Sequence, residues 1–203
     1  MKTVIIGASN SALEIYDILV EKNYPYHIYF YDENPKREGE IYGPSRVIDI
    51  RKETEKVIAF LGIGQPCKAF IQRVDKYTDR WIQLTHPDAQ RGSYMDIGKG
   101  CIIQRRVTAM THSSLGDFVY LNVGCLIGHH AKIGSYSCIA PQALILGHVQ
   151  IGEECYIGAN STIREDLKVA DRVVVGAGAV VIKDITEADT VWAGVPAKMI
   201  KRR

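Results

Sequence analysis

The sequence predicts a small α/β unit followed by a parallel β-helix, and three observations carry the prediction. The first 80 or so residues alternate strand-like apolar runs with helical periodicity. From Ile97 to Val181 every sixth residue is Ile, Leu or Val, with Ala109 the one exception. Four places after each of these stands a small or apolar residue. Fifteen consecutive positions in one register are the hexapeptide signature of a solenoid, in which each short strand sends one aliphatic side chain inward and turns at a small residue.

In the N-terminal unit, "TVIIG" reads as a buried strand and "ASNSALEIYDILVEKN" as an amphipathic helix, with Ala12, Ile15, Ile18 and Leu19 on one face and Ser9 or Asn10 as N-cap. A second strand, "YHIYFY", ends at Asp32-Glu33, and "KVIAFLGIG" followed by "CKAFIQRVDKY" supplies a further strand and helix. This order places backbone N–H groups and a helix N-terminus at the end of the first strand, a seat for phosphate, with an acidic residue about 25 positions on to hold a ribose hydroxyl. Gly7 is the only glycine left of the usual fingerprint. A plain βαβ turn is the competing account, and a mononucleotide-sized ligand fits the short unit better than a dinucleotide.

The bulk properties exclude several classes. The chain has 203 residues, 46% of them hydrophobic and 24% charged, with a formal net charge of +2. Near-neutrality gives no electrostatic footprint for nucleic acid, and the basic ending "KMIKRR" reads as a solvated tail or a small phosphate contact. No run reaches the roughly 18 apolar residues of a membrane span, and the start lacks the features of a signal peptide, so a cytoplasmic protein is expected. The five cysteines form no CxxC pair, and Cys101, Cys125 and Cys155 fall on the small inward position, as core residues.

The stretch "IGHHAKIG" puts His129 and His130 on the outside of a turn, because Ile127 and Ala131 take the inward positions. His112, His130 and His148 are spaced 18 apart, one coil each, and stack as a column about 4.8 Å apart, with His129 beside it. One reading is a metal centre; a straight ladder of ligands converges poorly on one point, and no metal is expected on that ground. The other is a general base at His129.

The chain resembles bacterial left-handed β-helix acyltransferases of the hexapeptide class, specifically N-acetyltransferases of nucleotide-linked 4-amino-sugars and their sialic-acid-pathway relatives that act as sugar O-acetyltransferases. The resemblance runs from "VIIGAS" and "YDENP" through "THPDA" and the repeat to "VVVGAGAVVIKDI" and "VWAGVPAKMIKRR". It implies a Rossmann-like α/β nucleotide-sugar-binding domain over residues 1–80, a connection and entry coil over 81–96, a left-handed β-helix acyltransferase domain over 97–185 and a C-terminal tail over 186–203. It also implies a homotrimer with acetyl-CoA as co-substrate between neighbouring subunits, in bacterial glycan biosynthesis. His129 takes the place of the base and the Gly147 N–H that of the oxyanion donor. Ala159 and Ala177 fall where the pantetheine arm is held, Pro196 and Lys198 at the adenine end, and Cys138 and Gly147 complete the cofactor set. Gly7, Ser9, Asn10, Asp32 and Gly64 match positions that line the nucleotide.

Three departures bear on this. His130 stands in the catalytic pair where relatives carry Asp or Glu, Cys138 where they often carry a second histidine, and Asn10-Ser11 where glycine and histidine commonly follow the "GAS" turn. An imidazole supplies no negative charge, so a less firmly oriented base is expected unless a carboxylate arrives from elsewhere. An amine acceptor fits that weaker base better than a hydroxyl, which is a far weaker acid than an ammonium. Sugar O-acetylation, a metal-dependent enzyme on the histidine column and a catalytically silent binding protein are the alternatives.

Overall fold

The computed structural model describes residues 1–203, in two packed units. The first is built on β1 (Thr3–Ile6), α1 (Asn10–Glu21), β2 (Ile28–Tyr31), β3 (Ile41–Tyr42), β4 (Ser45–Ile48), β5 (Val57–Leu61), α2 (Lys68–Asp75) and β6 (Thr78–Trp81). Its sheet runs β3-β4-β2-β1-β5-β6, parallel throughout except for the β3–β4 hairpin. Both β1 and β5 are fully buried along their length, which is why each reads as an unbroken apolar run rather than an alternating one. As expected, α1 buries Ala12, Ile15, Ile18 and Leu19. The hairpin went unread in the sequence because its strands are short and only Ser45 and Val47 of their side chains are buried.

The second unit is a parallel β-helix of two-residue rungs. Successive rungs pair in parallel at an offset of 18 residues, as in Tyr120↔Cys138, Leu126↔Leu144 and Lys132↔Gln150. Three faces result. One begins at Leu84–Thr85, the next at Gln90–Arg91 and the third at Asp96–Ile97. The first coil thus precedes the legible repeat, since the positions in register with Ile103 and Ala109 hold Thr85 and an exposed Arg91 rather than buried aliphatics. Inside the prism Ile127, Ile133, Ile139 and Ile145 are at most 2% exposed, and Cys101, Cys125 and Cys155 pack among them. Burial raises these thiols: Cys155 to about 11, Cys101 to about 12, and Cys125 further still. They are wall material, not nucleophiles.

Each corner has one fixed conformational demand. From Tyr94 to Gly178 every sixth residue has a positive φ, close to +60°. Only Gly100, Gly124 and Gly178 meet this with glycine; the other positions, among them Arg106, His112, Phe118, His130 and His148, accept a left-handed backbone that costs about 1–2 kcal/mol per residue. The coil-to-coil hydrogen bonds offset that cost, for example Ile102 N–H to Val119 O at 3.0 Å and Cys138 N–H to Cys155 O at 2.9 Å.

The units meet on the first face. Its outward residues Leu84, Ile102, Tyr120 and Cys138 belong to the core of the α/β unit, together with Trp81 and Phe118, whose rings meet edge to face at 5.0 Å. Polar ties frame the seam. Glu21, at the end of α1, takes Arg105 at 3.4 Å and faces Nε2 of the buried His86 at 2.9 Å. His86 Nδ1 accepts the Asp88 N–H, which leaves the ring proton on Nε2, toward Glu21. The basic ending is not a loose tail: Lys198–Arg202 forms an antiparallel strand against Thr190–Ala193 at the last coil, with its side chains exposed. No helix is long and apolar enough to cross a membrane.

Replacing Cys125 by Asp puts an unpaired carboxyl in the prism wall. The expected loss is at least about 3 kcal/mol of unfolding free energy, read from a denaturant midpoint shift, whereas Cys125→Ser is milder.

Candidate active site

His129 sits on the turn Gly128-His129-His130-Ala131, which joins a second-face rung, Leu126–Ile127, to a third-face rung, Lys132–Ile133. It is exposed, as are His130 and His148. Two glycines permit the arrangement. A Cβ on Gly128 would lie 2.5 Å from the Gly147 nitrogen, so this turn touches the backbone of the next coil. A Cβ on Gly147 would lie 2.7 Å from His129 Cε1 and 2.8 Å from Nε2. The imidazole therefore packs by its Cε1–Nε2 edge against the open Cα face of Gly147, whose N–H has no backbone acceptor within the chain.

The expected column exists and is longer than the histidines alone. Tyr94 stacks on His112 at 5.0 Å between ring centroids, His112 on His130 at 5.0 Å, and His130 on His148 at 4.8 Å. All four occupy the left-handed corner position, so the ladder fixes their Cα atoms. His129 meets His130 and His148 nearly edge-on, at 84° to both rings. Its Nδ1 is 3.2 Å from His130 Nδ1, a hydrogen bond that holds one proton between two imidazoles. Crowding in the stack, then the neighbouring His148, His112 and His129, holds the His130 imidazole below its ordinary value.

A second group of expected residues gathers at the carboxyl edge of the α/β sheet. Gly7, Ser9 and Asn10 follow β1, Asp32 follows β2, and Gly64 follows β5. The chain moves outward from β1 in one direction through β2 and β4 and in the other through β5 and β6, so β1 and β5 flank the switch point where such sheets hold ligands. Gly7 has φ +121° and its missing Cβ would strike Ile63 at 2.8 Å. Ser9 is the N-cap of α1, but its hydroxyl donates to Gly62 O at 3.2 Å rather than to the helix. Asn10 is exposed at the head of α1.

Sequence reading missed Arg37. Its guanidinium donates to Asp32 Oδ2 at 2.9 Å and to Ala8 O at 2.7 Å, and lies over the Tyr42 ring at 4.9 Å. Asp32 Oδ1 accepts the Asn34 N–H at 2.9 Å, so both carboxylate oxygens are engaged. The signal for this was weak, an arginine five residues past Asp32.

The expected cofactor residues do not form one cluster in the protomer. Ala159 and Ala177 lie one coil apart on the corner between the first and second faces, on the opposite side of the second face from His129. Pro196 and Lys198 line a cavity of about 320 Å³ with Trp192 and Lys183 at the last coil. Cys138 offers no surface to a ligand. It is 2% exposed at the seam, its thiol donates to Gly64 O at 3.2 Å, and desolvation raises it to about 12. A cysteine on the outward position of the docking face is covered by the other unit of its own chain.

Residues 148–183 match the family described as bacterial transferase hexapeptide (six repeats). No curated protein matches the sequence. Solved structures match over the whole chain. The acetyltransferase domain of PglB from Neisseria gonorrhoeae, in complex with acetyl coenzyme A, is 25% identical with a TM-score of 0.88, covering 98% of both chains. PerB from Caulobacter crescentus, in complex with CoA and GDP-perosamine, is 22% identical with a TM-score of 0.87, over 99% of this chain and 98% of that one. WeeI from Acinetobacter baumannii is 20% identical with a TM-score of 0.90, over 98% of this chain and all of that one. Both units and their order are thus shared with these proteins.

Gly147→Ala tests the contact beneath His129. Gly147 has an ordinary φ and the clash falls on the far end of an exposed side chain, so the melting temperature is expected to stay within a few degrees while the His129 imidazole resonances move.

Proposed function

We propose that this protein is an acetyl-CoA-dependent N-acetyltransferase acting on the amino group of a nucleotide-linked amino-sugar. The observation that carries the reading is the His129 imidazole packed on the open Cα face of Gly147, a residue whose N–H is unpartnered, in a chain that aligns end to end with sugar acetyltransferases. With the shared proton on His129 Nδ1, donated to His130, the Nε2 lone pair is free to take a proton from the neutral sugar amine as its nitrogen attacks the thioester carbonyl. Gly147 N–H then stabilises the oxyanion of the tetrahedral intermediate, and CoA thiolate leaves with a proton returned from His129. His130 here does by lone pair what a carboxylate does by charge: it fixes the tautomer and stabilises the imidazolium less. Gly7, Ser9, Asn10, Asp32 and Gly64 hold the nucleotide in a Rossmann-like domain spanning residues 1–80.

We read the assembly as a homotrimer of left-handed helices, and the positions of these parts support that reading. The α/β unit covers the first face, and His129 stands on the corner opposite that face. A nucleotide-sugar held by one chain therefore meets the base of a neighbour. The outward side of the second face carries Leu126, Leu144, Thr162 and Val180, with Leu144 39% exposed, whereas the third face carries Ser114, Lys132, Gln150 and Lys168. An apolar face bordered by the His129 corner on one side and by Ala159 and Ala177 on the other supports burial between copies, with the pantetheine arm in the groove. Pro196 and Lys198 hold its adenine end. The setting is the cytoplasm of a bacterium that builds amino-sugar glycans.

Free-thiol release from acetyl-CoA over a panel of nucleotide-linked 4-amino-sugars and the matching hydroxyl sugars is the direct test. Turnover with an amino-sugar is expected, and His129→Ala lowers kcat by about 10² to 10⁴ with the fold intact. Acetyl-CoA binding without turnover on any amino-sugar would overturn the reading, and turnover on hydroxyl sugars alone would move it to O-acetylation.

Shared sites make a second prediction. Random mixed trimers of His129→Ala chains with chains blocked at the nucleotide seat, such as Gly64→Trp, recover about a quarter of the wild-type rate, and none if each site is built within one chain. His130→Glu restores a negative partner and is expected to raise kcat.

A further inference from the structure

His129, His130 and His148 place ligand nitrogens within 4.8 Å of one another. A straight column offers parallel rings whose lone pairs do not converge, and His112, His130 and His148 are such a column. His129 changes the geometry. It enters from the side, at 84° to both His130 and His148, and its Nδ1 already stands 3.2 Å from His130 Nδ1. Two nitrogens on one tetrahedral zinc, each about 2.0–2.1 Å from it, are about 3.4 Å apart. One pair thus has ligand spacing, and the widest pair has to close by about 1.4 Å, a swing within the broad χ2 freedom of an exposed imidazole.

The backbone prepares the group. His130 N–H donates to Thr111 O at 3.2 Å and His148 N–H to His129 O at 2.9 Å, so the three Cα positions are locked by the coil-to-coil ladder. No carboxylate pairs with any of the three, since both histidine ion pairs of the protein belong to His86. The ligands are exposed and open to entry from solvent, and three neutral imidazoles suit zinc, copper or nickel rather than a hard cation.

We propose that His129, His130 and His148 form a three-imidazole site for a borderline divalent transition ion, with zinc as the representative case and the fourth position left to water. The site does not depend on the transferase reading. Where both hold, the ion and the sugar amine compete for His129, and a loaded protein is a silent one.

The test uses untagged full-length protein freed of metal by dialysis against a chelator. Cobalt(II) is titrated by its visible absorption and zinc(II) by competition with a chromophoric chelator. One equivalent per chain is expected. His148→Ala weakens binding at least about tenfold, while His112→Ala, outside the group, changes it less than about threefold. Melting curves of both variants, altered at exposed corners, verify the fold. Absence of saturable binding, unchanged binding in His148→Ala, or an equal loss in His112→Ala would each overturn the site. Titration reads no turnover, so its failure with thiol release intact removes the metal site alone, and the converse removes the transferase alone.

Discussion

The in-register pairing of each coil with the next, 18 residues on, is the constraint from which the rest follows. A parallel ladder with rungs of two residues gains its hydrogen bonds only if every corner returns the chain to the same place, and the left-handed residue at each sixth position is what does so. Side chains at equivalent positions then have no choice but to stack. The isoleucine ranks inside, the tyrosine and cysteine of the docking face and the imidazole column outside are one effect seen from different directions.

The outward position on each face then decides what that face does. On the first face it is Leu84, Ile102, Tyr120 and Cys138, and there the α/β unit sits, with Tyr120, Cys138 and the neighbouring Phe118 at most 2% exposed. This docking sets the direction of the carboxyl edge of the sheet and puts the β1–β5 crevice next to the first-face corner, held by Cys138 under Gly64 and by Glu21 against the entry coil. The histidine corner is left on the far side, free of its own chain. The triangular section thus sets the distance between the β1–β5 crevice and the histidine corner within the protomer.

Much of this was legible in the residues, because the period of six and the inward aliphatics are properties of consecutive positions. The phase alone put His129 and His130 outside, Cys125 inside and His112, His130 and His148 in line. What was not legible depended on contacts between distant segments. The first coil carries Thr85 and Arg91 where the pattern asks for aliphatics, so the period of six did not reach it and only the resemblance marked residues 81–96 as an entry coil. Arg37 could not be paired with Asp32 without the turn that brings it back over Ala8. The fate of Cys138 depended on which face the other unit covers, and the perpendicular approach of His129 to the stack depended on the absence of a side chain at Gly147.

The end of the solenoid carries its own consequence. Any stack of parallel strands finishes in a row of unpaired backbone groups, a template on which a second stack can grow into a fibre. Here the last coil is tightened, with Val174 pairing Val191 at an offset of 17, and the chain then reverses so that Lys198–Arg202 closes the row as an antiparallel ribbon. That ribbon presents Lys198, Lys201 and Arg202 to solvent. Two such ends repel, and the reversed strand direction offers the wrong pairing to the parallel coil of another copy. The basic ending acts as a stopper, which lets a fold that is in principle endless exist as discrete molecules.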